Sequence, residues 1–371
     1  MHASVARKPE ARPTTAVPPA FAGSFDLPTR QSGAAFPLFS LSSRTIADLG
    51  ERALIERITA RLSRPAWLVV GPGDDAAVVE PERGALDVFT TDVQVEGVHF
   101  DRGFVAPDAI GHRALAVNLS DLAAMGARPR AALLSLVLPD ALDVTTIDGL
   151  LDGLLALADA HRVAVVGGNI SRSPGPLVVD VTAIGAVPRR RILTRSGARP
   201  GDGVYVTGTI GDALVGLESL QDGGAQTMHE QEQRYLRPEP RVRAGWMLAS
   251  HRAASACMDL SDGMADAVRQ VAAASGVGIE LDAAALPIPD AVRRWHDARG
   301  RDAVAAVLHG GDDYELLFTS RPAHRGRLRG AERALRGLPV TRIGVVTREP
   351  RLVVRTGTGR RELPAGFEHF R

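Results

Sequence analysis

Residues 114–127 read ALAVNLSDLAAMGA, and residues 131–139 follow them with AALLSLVLP. The first segment continues a helical pattern that begins near Asp108 and ends near Met125, while the second is an apolar run of strand length. A second helical pattern occupies residues 145–161. A buried strand between two largely apolar helices predicts a layered domain in which helices cover a sheet.

Short segments rich in β-branched and aromatic residues surround this unit. WLVV at 67–70, AAVV at 76–79 and LDVFTTD at 86–92 precede it, and VAVVGG at 163–168 and LVVDVTAIGAV at 177–187 follow it. Such segments predict strands of a mixed sheet that ends near Val187. Upstream, Ser43 or Thr45 is positioned to cap one amphipathic helix, whose apolar residues are Ile46, Leu49, Leu54, Ile58 and Leu62.

A second unit is predicted after the arginine run at 189–191. Its strand GVYVTG at 203–208 precedes a helix from Ile210, ACMDL at 256–260 leads into a helix from Gly263, and YELLFT occupies 314–319. We therefore expect an α/β (α+β) protein with an N-terminal mixed-sheet domain at 43–188 and a C-terminal α/β domain at 189–371. Residues 1–42 are rich in Pro, Ala, Ser and Thr, which predicts a disordered extension.

The composition excludes several classes of protein. The 44 basic and 43 acidic residues give a net charge of +1, which provides no general attraction to nucleic acid or to an anionic membrane. No apolar run is long enough to cross a bilayer, so we expect a cytoplasmic protein without a membrane partner. Lys8 is the only lysine, which excludes a Walker-A loop, a protein-kinase site and pyridoxal chemistry.

Aspartates recur where apolar segments end. They are Asp74 and Asp75 in GPGDDAAVV, Asp92 in TTDVQVEGVHF, Asp121 in NLSDLAAMGA, Asp259 and Asp262 in MDLSDG, and Asp312 and Asp313 in HGGDDYEL. Each alone is explained by a turn or a helix cap. Gathered together, the carboxylates would raise one another's pKa unless cations intervened. Oxygen donors without His or Cys favour several Mg²⁺ ions that bridge to the phosphates of a nucleotide.

These motifs together identify a family. GPGDDAAVV, TTDVQVEGVHF, ALAVNLSDLAAMGA, LTRSGARPGDGVYVTGTIGDA, MDLSDG and GGDDYEL occur in the order and approximate spacing of the thiamine-monophosphate kinase family. That family is related to aminoimidazole ribonucleotide synthetase and selenophosphate synthetase, and the similarity covers nearly all of the chain after about residue 45. The resemblance implies a two-domain synthetase-like fold, pairing of N-terminal domains in a homodimer, and a site that takes ATP, several Mg²⁺ ions and thiamine monophosphate.

The resemblance also implies roles for individual residues. It implies metal contacts by Asp75, Thr90, Thr91, Asp92, Asp121, Asn169, Asp259 and Asp262. Of these, Asp92, Asp121 and Asp262 are the candidate catalytic residues. It implies ATP contacts by Gly168, Asn169, Arg195 and Ser261, and substrate contacts by His99, Asp312 and Phe367. At two of these positions the chain differs from the family. Asn169 replaces an aspartate and offers one oxygen without charge, and Asp312 replaces a longer glutamate.

The implied reaction suits these residues. It is the ATP-dependent phosphorylation of thiamine monophosphate to thiamine diphosphate by in-line transfer of the γ-phosphoryl group, the last step of thiamine diphosphate biosynthesis. A phosphomonoester is mostly ionised at neutral pH, so it needs no general base, and metal ions and arginine can supply the missing cations. Two alternatives stay open: an aminoimidazole ribonucleotide synthetase-like enzyme, and a non-catalytic relative that binds nucleotide or metal.

Overall fold

The computed structural model describes residues 44–224 and 228–366. Its helices are α1 (Ile46–Leu49), α2 (Glu51–Thr59), α3 (Pro107–Ala124), α4 (Val144–His161), α5 (Asp212–Gln221), α6 (His229–Leu236), α7 (Val242–His251), α8 (Met264–Ser275), α9 (Asp290–Asp297), α10 (Ala303–His309) and α11 (Arg325–Ala334). Its strands are β1 (Leu68–Val70), β2 (Val78–Val79), β3 (Leu86–Val95), β4 (Arg128–Pro139), β5 (Ala164–Ser173), β6 (Val178–Val187), β7 (Gly203–Thr207), β8 (Ala256–Asp259), β9 (Gly278–Asp282), β10 (Leu316–Ser320), β11 (Val340–Thr347), β12 (Leu352–Thr356) and β13 (Gly359–Glu362).

A four-stranded sheet in the order β3-β6-β4-β5 organises the first half. β6 pairs antiparallel with both β3 and β4, and β4 pairs parallel with β5. Alternate residues of β4, including Leu134, Leu136 and Leu138, are buried in one core with residues of α3 and α4. The opposite face is more open, because Phe89 and Val93 on the edge strand β3 are 67% and 43% exposed. Within the described residues, α3 and α4 therefore cover one face of the sheet, and the β3 edge of the other face is open.

A seven-stranded sheet in the order β13-β12-β9-β11-β7-β10-β8 organises the second half. Only β9 and β12 pair parallel within it. Helix α8 follows β8 directly and buries an apolar face that includes Met264, Val268 and Val271. The loop between β8 and α8 thus lies at the end of a strand and before a helix, a place where polar side chains commonly reach a ligand.

Helix α3 joins the two halves. Residues of its buried surface contact α4 on one side and β8 and α7 of the second half on another. The approach to α7 is close: a Cβ on Gly245 would lie 1.9 Å from the carbonyl oxygen of Ala123, so only glycine fits there. The apolar run predicted to be helical is therefore the central element of the molecule.

The sequence predicted the mixed α/β class correctly, but the prediction of one helix was wrong. Residues 46–62 do not form a single helix, because Gly50 has φ of 80° and separates α1 from α2, and Leu62 follows the end of α2. Thr45 does cap α1: its hydroxyl accepts from the Asp48 N–H, and Asp48 accepts in return. No helix in the part of the chain described here is both long and apolar enough to cross a membrane.

Candidate active site

The edge strand β3 and helix α3 bring the first carboxylates together. Side chains alternate along a strand, so Thr90 and Asp92 share the face toward α3, while Thr91 lies on the other face. Thr90 Oγ1 donates a hydrogen bond to Asp121 Oδ2. Thr91 instead contacts Asp180 and Thr182 on β6, at 3.2 and 3.0 Å. Two of the three predicted β3 side chains therefore face the acidic group on α3.

The loop after β8 contributes the next two acids. Asp259 is the last residue of β8, its side chain is buried, and it accepts a hydrogen bond of 2.7 Å from Ser120 Oγ on α3. Asp262 and Ser261 follow in the turn before α8. Together with Asp92 and Asp121 they line a cleft of about 530 Å³ that lies between the two halves. The four aspartates predicted from three separate motifs therefore converge.

The electrostatics of this end of the cleft favour cations. Burial, followed by the charges of Asp121 and Asp262, raises the pKa of Asp92 to about 7. Burial and the charge of Asp121 likewise raise the pKa of Asp259 to about 7, and burial raises that of Asp121. A raised carboxylate pKa means that the ionised form lacks compensating charge. A bound cation would stabilise all three ionised groups at once.

The donor set fits Mg²⁺ with help from other ligands. Among residues 44–224 and 228–366, no three acidic, His or Cys side chains are close enough to hold an ion by themselves. Mg²⁺ usually takes one or two carboxylates and completes its shell with water and substrate phosphates. Dispersed carboxylates around an open cleft, rather than a closed protein cage, match that preference.

Arg195 is a cation whose charge reaches these acids. Its charge lowers the pKa of both Asp121 and Asp259 against the effect of burial. Its Nη1 donates to Gln270 Oε1 on α8, and Gln270 Nε2 in turn donates to Asp266 Oδ2 at 2.5 Å. Arg195 also borders a second cavity of about 490 Å³ that shares Asp121 and Asp259 with the first. A phosphate group could reach Arg195 from either cavity.

The same cleft also contains the predicted substrate residues. His99 and Asp312 both line it, together with Arg113, Tyr235 and Tyr314. His99 Nδ1 accepts a hydrogen bond of 3.1 Å from the Val95 N–H, which orients the ring. Asp312 is half-buried, and its N–H donates to the carbonyl oxygen of Ser261 at 2.8 Å. That bond joins Asp312 to the loop that bears Asp262.

Three of the predicted site residues, Gly168, Asn169 and Asp75, do not line this cleft. Gly168 and Asn169 on β5 line a separate groove of about 290 Å³ with α2 and Asp74, and Asp75 is exposed in the adjoining turn. Gly168 also has a structural explanation, since a Cβ there would lie 1.9 Å from the Leu134 carbonyl oxygen. Phe367 lies outside the described residues.

Sequence reasoning missed Arg113, Gln270 and the two tyrosines. Arg113 carried a usable signal, because a single charge within the apolar run of a buried helix must find a partner. Gln270, Tyr235 and Tyr314 carried none, since nothing in their local pattern distinguishes them from ordinary surface or packing residues. Their roles depend on contacts between distant segments.

The fold and the acidic cleft define a class. Family models described as AIR synthase related protein, N-terminal domain and C-terminal domain, match residues 73–187 and 199–357. Thiamine-monophosphate kinase from Salmonella typhimurium is 41% identical over 80% of this chain and 90% of its own. The Escherichia coli K12 enzyme is 39% identical over 86% of this chain and 98% of its own. The chain belongs to the thiamine-monophosphate kinase family.

Solved structures agree with this placement. Thiamine-monophosphate kinase from Stenotrophomonas maltophilia superposes with a TM-score of 0.73 at 41% identity, covering 81% of this chain and 95% of its own. AaThiL, solved in complex with AMPPCP and TMP, has a TM-score of 0.69 at 34% identity, covering 87% of this chain and 98% of its own. The hydrogenase maturation protein HypE shares the fold at 22% identity, with a TM-score of 0.71.

Proposed function

We propose that the protein phosphorylates thiamine monophosphate to thiamine diphosphate with ATP, the last step in making that cofactor. One observation carries the proposal: aspartates from β3, α3 and the β8–α8 loop line a single cleft together with His99 and Asp312. A cleft that holds both an acidic group and the predicted ring-contacting residues suits a substrate with a phosphate on one side and a heteroaromatic ring on the other. Membership of the kinase family supports the same reaction.

The chain's own residues position the reactants rather than activate a nucleophile. The acceptor is a phosphate oxygen, which is mostly ionised at neutral pH because the second pKa of a phosphomonoester is about 6. No general base is needed, and the barrier comes from repulsion between two anions and from their alignment. We expect Asp92, Asp121, Asp259 and Asp262 to hold Mg²⁺, which when bound spreads the charge on the phosphates. Arg195 binds phosphate beside these acids.

The remaining sequence predictions are proposals about the same site. Asp75, Gly168 and Asn169 are proposed to contact metal or ATP, as are Thr91 and Ser261, and Phe367 is proposed to contact the substrate. Asp75, Gly168 and Asn169 lie away from the cleft, so their contribution requires either a loop movement or a second copy of the chain. We propose that the domain boundary falls between the end of β6 and the start of β7, near residue 188. The disordered extension at 1–42 and the cytoplasmic location stay predictions.

We further propose a homodimer that buries the open face of the four-stranded sheet. Phe89 and Val93 project from the edge strand β3 on that face, beside Thr91. Exposed large apolar residues on one face of a sheet are typical of an interface rather than of a surface in water. Pairing of two such sheets would remove these side chains from solvent.

The test is to incubate purified protein with ATP, MgCl₂ and thiamine monophosphate and to separate the thiamine phosphates by chromatography. We expect thiamine diphosphate and ADP in equal amounts, with no product when Mg²⁺ is chelated. Retained ATP binding without any product would favour the non-catalytic relative, which Asn169 makes the relevant alternative. A reaction in which ATP is consumed only with an amide-bearing ribonucleotide would favour the aminoimidazole ribonucleotide synthetase-like enzyme.

A further inference from the structure

Arg113 is a buried residue that lines the cleft. Its side chain is 2% exposed, and its guanidinium stacks on the ring of Tyr235 with 4.3 Å between the guanidinium carbon and the ring centroid. Nη1 donates to the carbonyl oxygen of Tyr235, and Nη2 donates to Asp312 Oδ1 at 3.2 Å. Removing a guanidinium from water is unfavourable unless its charge and its N–H groups are paired. The position of Arg113 therefore depends on Asp312.

Asp312 is in turn held from several directions. The hydroxyl of Tyr314 donates to the same oxygen, Oδ1, at 2.9 Å. Burial raises the pKa of Tyr314 well above its ordinary value, so this hydroxyl keeps its proton and stays a donor. The backbone of Asp312 has φ of 66° and its N–H is bonded to Ser261. Aspartate adopts this left-handed region more readily than glutamate does, which suits the shorter acid at this position.

The two side-chain donors share one oxygen of Asp312. Arg113 Nη2 and the Tyr314 hydroxyl both donate to Oδ1, so the carboxylate is held at that atom. The negative charge of Asp312 is already paired with the buried guanidinium of Arg113. A carboxylate whose charge is paired attracts a second cation weakly, but its remaining oxygen accepts a hydrogen bond in a fixed direction.

We propose that Arg113 and Tyr314 are positioning residues that make Asp312 a fixed hydrogen-bond acceptor for an amino group on a neutral heteroaromatic ring of the substrate. Thiamine monophosphate has such a group on its aminopyrimidine ring and carries its positive charge on a separate thiazolium ring. Asp312 therefore selects the substrate by its amino group and is not the counter-ion of the cationic ring. This inference rests on the proposed function and specifies how that site recognises its substrate.

The simpler explanation is that Arg113 only joins α3 to the second half of the molecule. A purely structural role would lower stability or the amount of active enzyme, without changing the preference between two substrates. The preference is therefore the quantity to measure. Two phosphorylated analogues separate the hypotheses: one with oxygen in place of the amino group, and one with a neutral ring in place of the thiazolium.

The experiment compares kcat/KM for thiamine monophosphate and both analogues in four proteins. They are the wild type, Arg113→Lys, Tyr314→Phe and a control, Arg237→Met, which removes an ion pair with Asp108 on the same helix α3. We expect the wild type to prefer the amino substrate over the oxygen analogue by about 10- to 100-fold, the range for losing a hydrogen bond to a charged group. The control should keep that preference.

Tyr314→Phe removes one hydroxyl and conserves volume, so it keeps the test valid if Arg113→Lys fails to fold. Both variants should raise the KM for thiamine monophosphate, leave the KM for ATP unchanged, and reduce the preference for the amino group to within about threefold. An unchanged preference in both variants overturns the inference. The inference is also overturned if the wild-type enzyme uses the oxygen analogue as well as it uses thiamine monophosphate and discriminates only against the analogue with the neutral ring. A wild type that forms no thiamine diphosphate instead overturns the proposed function, and the inference with it.

Discussion

Asp92→Asn should make the metal-free protein more stable while it removes magnesium-dependent turnover. Burial and the neighbouring acids raise the pKa of Asp92 to about 7, so the folded protein tolerates its ionised form poorly. Asparagine has nearly the same shape and no charge, so it relieves that repulsion. The same change takes away a ligand that we expect Mg²⁺ to need. Stability and activity should therefore move in opposite directions.

The magnitude follows from the pKa. Raising a carboxyl pKa from 3.8 to about 7 destabilises the ionised folded state by about 4 kcal/mol, at about 1.4 kcal/mol per pKa unit. Asp92 keeps some contact with water, and solvent screening reduces the expected effect to about 2 kcal/mol. Because the folded pKa is the higher one, the folded protein binds more protons than the unfolded chain between pH 3.8 and about 7. Its stability falls as pH rises through that window, and the loss is complete above it.

Urea unfolding of wild type and Asp92→Asn in chelator measures this directly. We expect the variant to be more stable by about 2 kcal/mol at about pH 8 and by about half of that at about pH 5. The control is Asp87→Asn, the same substitution at an exposed position on the same strand, which should have little effect at either pH. MgCl₂ with ATP should stabilise the wild type and not Asp92→Asn.

Two results would refute this reasoning. If Asp92→Asn is no more stable than wild type at the higher pH, the acids at this end of the cleft do not repel one another in the folded protein. If the variant keeps a near-normal rate at limiting magnesium, Asp92 is not a metal ligand. Circular dichroism of the variant guards against a trivial loss of fold.

Two further predictions concern assembly and stability. Phe89→Asp places a charge on the open sheet face and should convert the dimer to monomer in size-exclusion chromatography with light scattering; a wild type that is monomeric at micromolar concentration would contradict the proposed interface. Arg241→Met removes the two-point partner of the fully buried Glu315, at 2.7 and 2.5 Å, leaves Glu315 paired with Arg234 at 2.6 Å, and should lower the free energy of unfolding by about 2 kcal/mol. Arg237→Met, which breaks an exposed pair, should cost much less, and an equal loss would argue against a special role for burial.

The fold class was predictable because strand and helix patterns in the first half are long and regular. The run at 114–139 has the period and length of a helix and a buried strand, and α3 and β4 form there. The break at Gly50 was not predictable from periodicity, because the apolar spacing continues across it. Only the backbone conformation, with φ of 80°, distinguishes two short helices from one.

The acidic residues of the site could be predicted from the sequence, but the contacts that orient them could not. Asp312 and Asp313 are adjacent and chemically identical in the sequence, yet only Asp312 lines the cleft. Asp313 is buried and accepts hydrogen bonds from the Gly211 N–H at 3.0 and 2.9 Å, where burial raises its pKa to about 8. Which of two neighbouring acids faces a ligand depends on local backbone conformation, and here Asp312 has φ of 66°. That information is absent from residue type and spacing.

The distribution of arginine explains how one cleft can orient a substrate that carries both negative and positive charge. Arg113 is buried against Asp312 and neutralises it within the protein. Beside the acids, burial and the neighbouring carboxylates raise the pKa of Asp92 and Asp259 to about 7, and the charge of Arg195 opposes that shift at Asp259 only in part. We expect Mg²⁺ from solution to supply the remaining positive charge and to bind the phosphates of the substrate together with Arg195. The phosphate of a substrate is thus drawn to the acids and Arg195, and the aromatic amine is left to Asp312, whose charge is already paired.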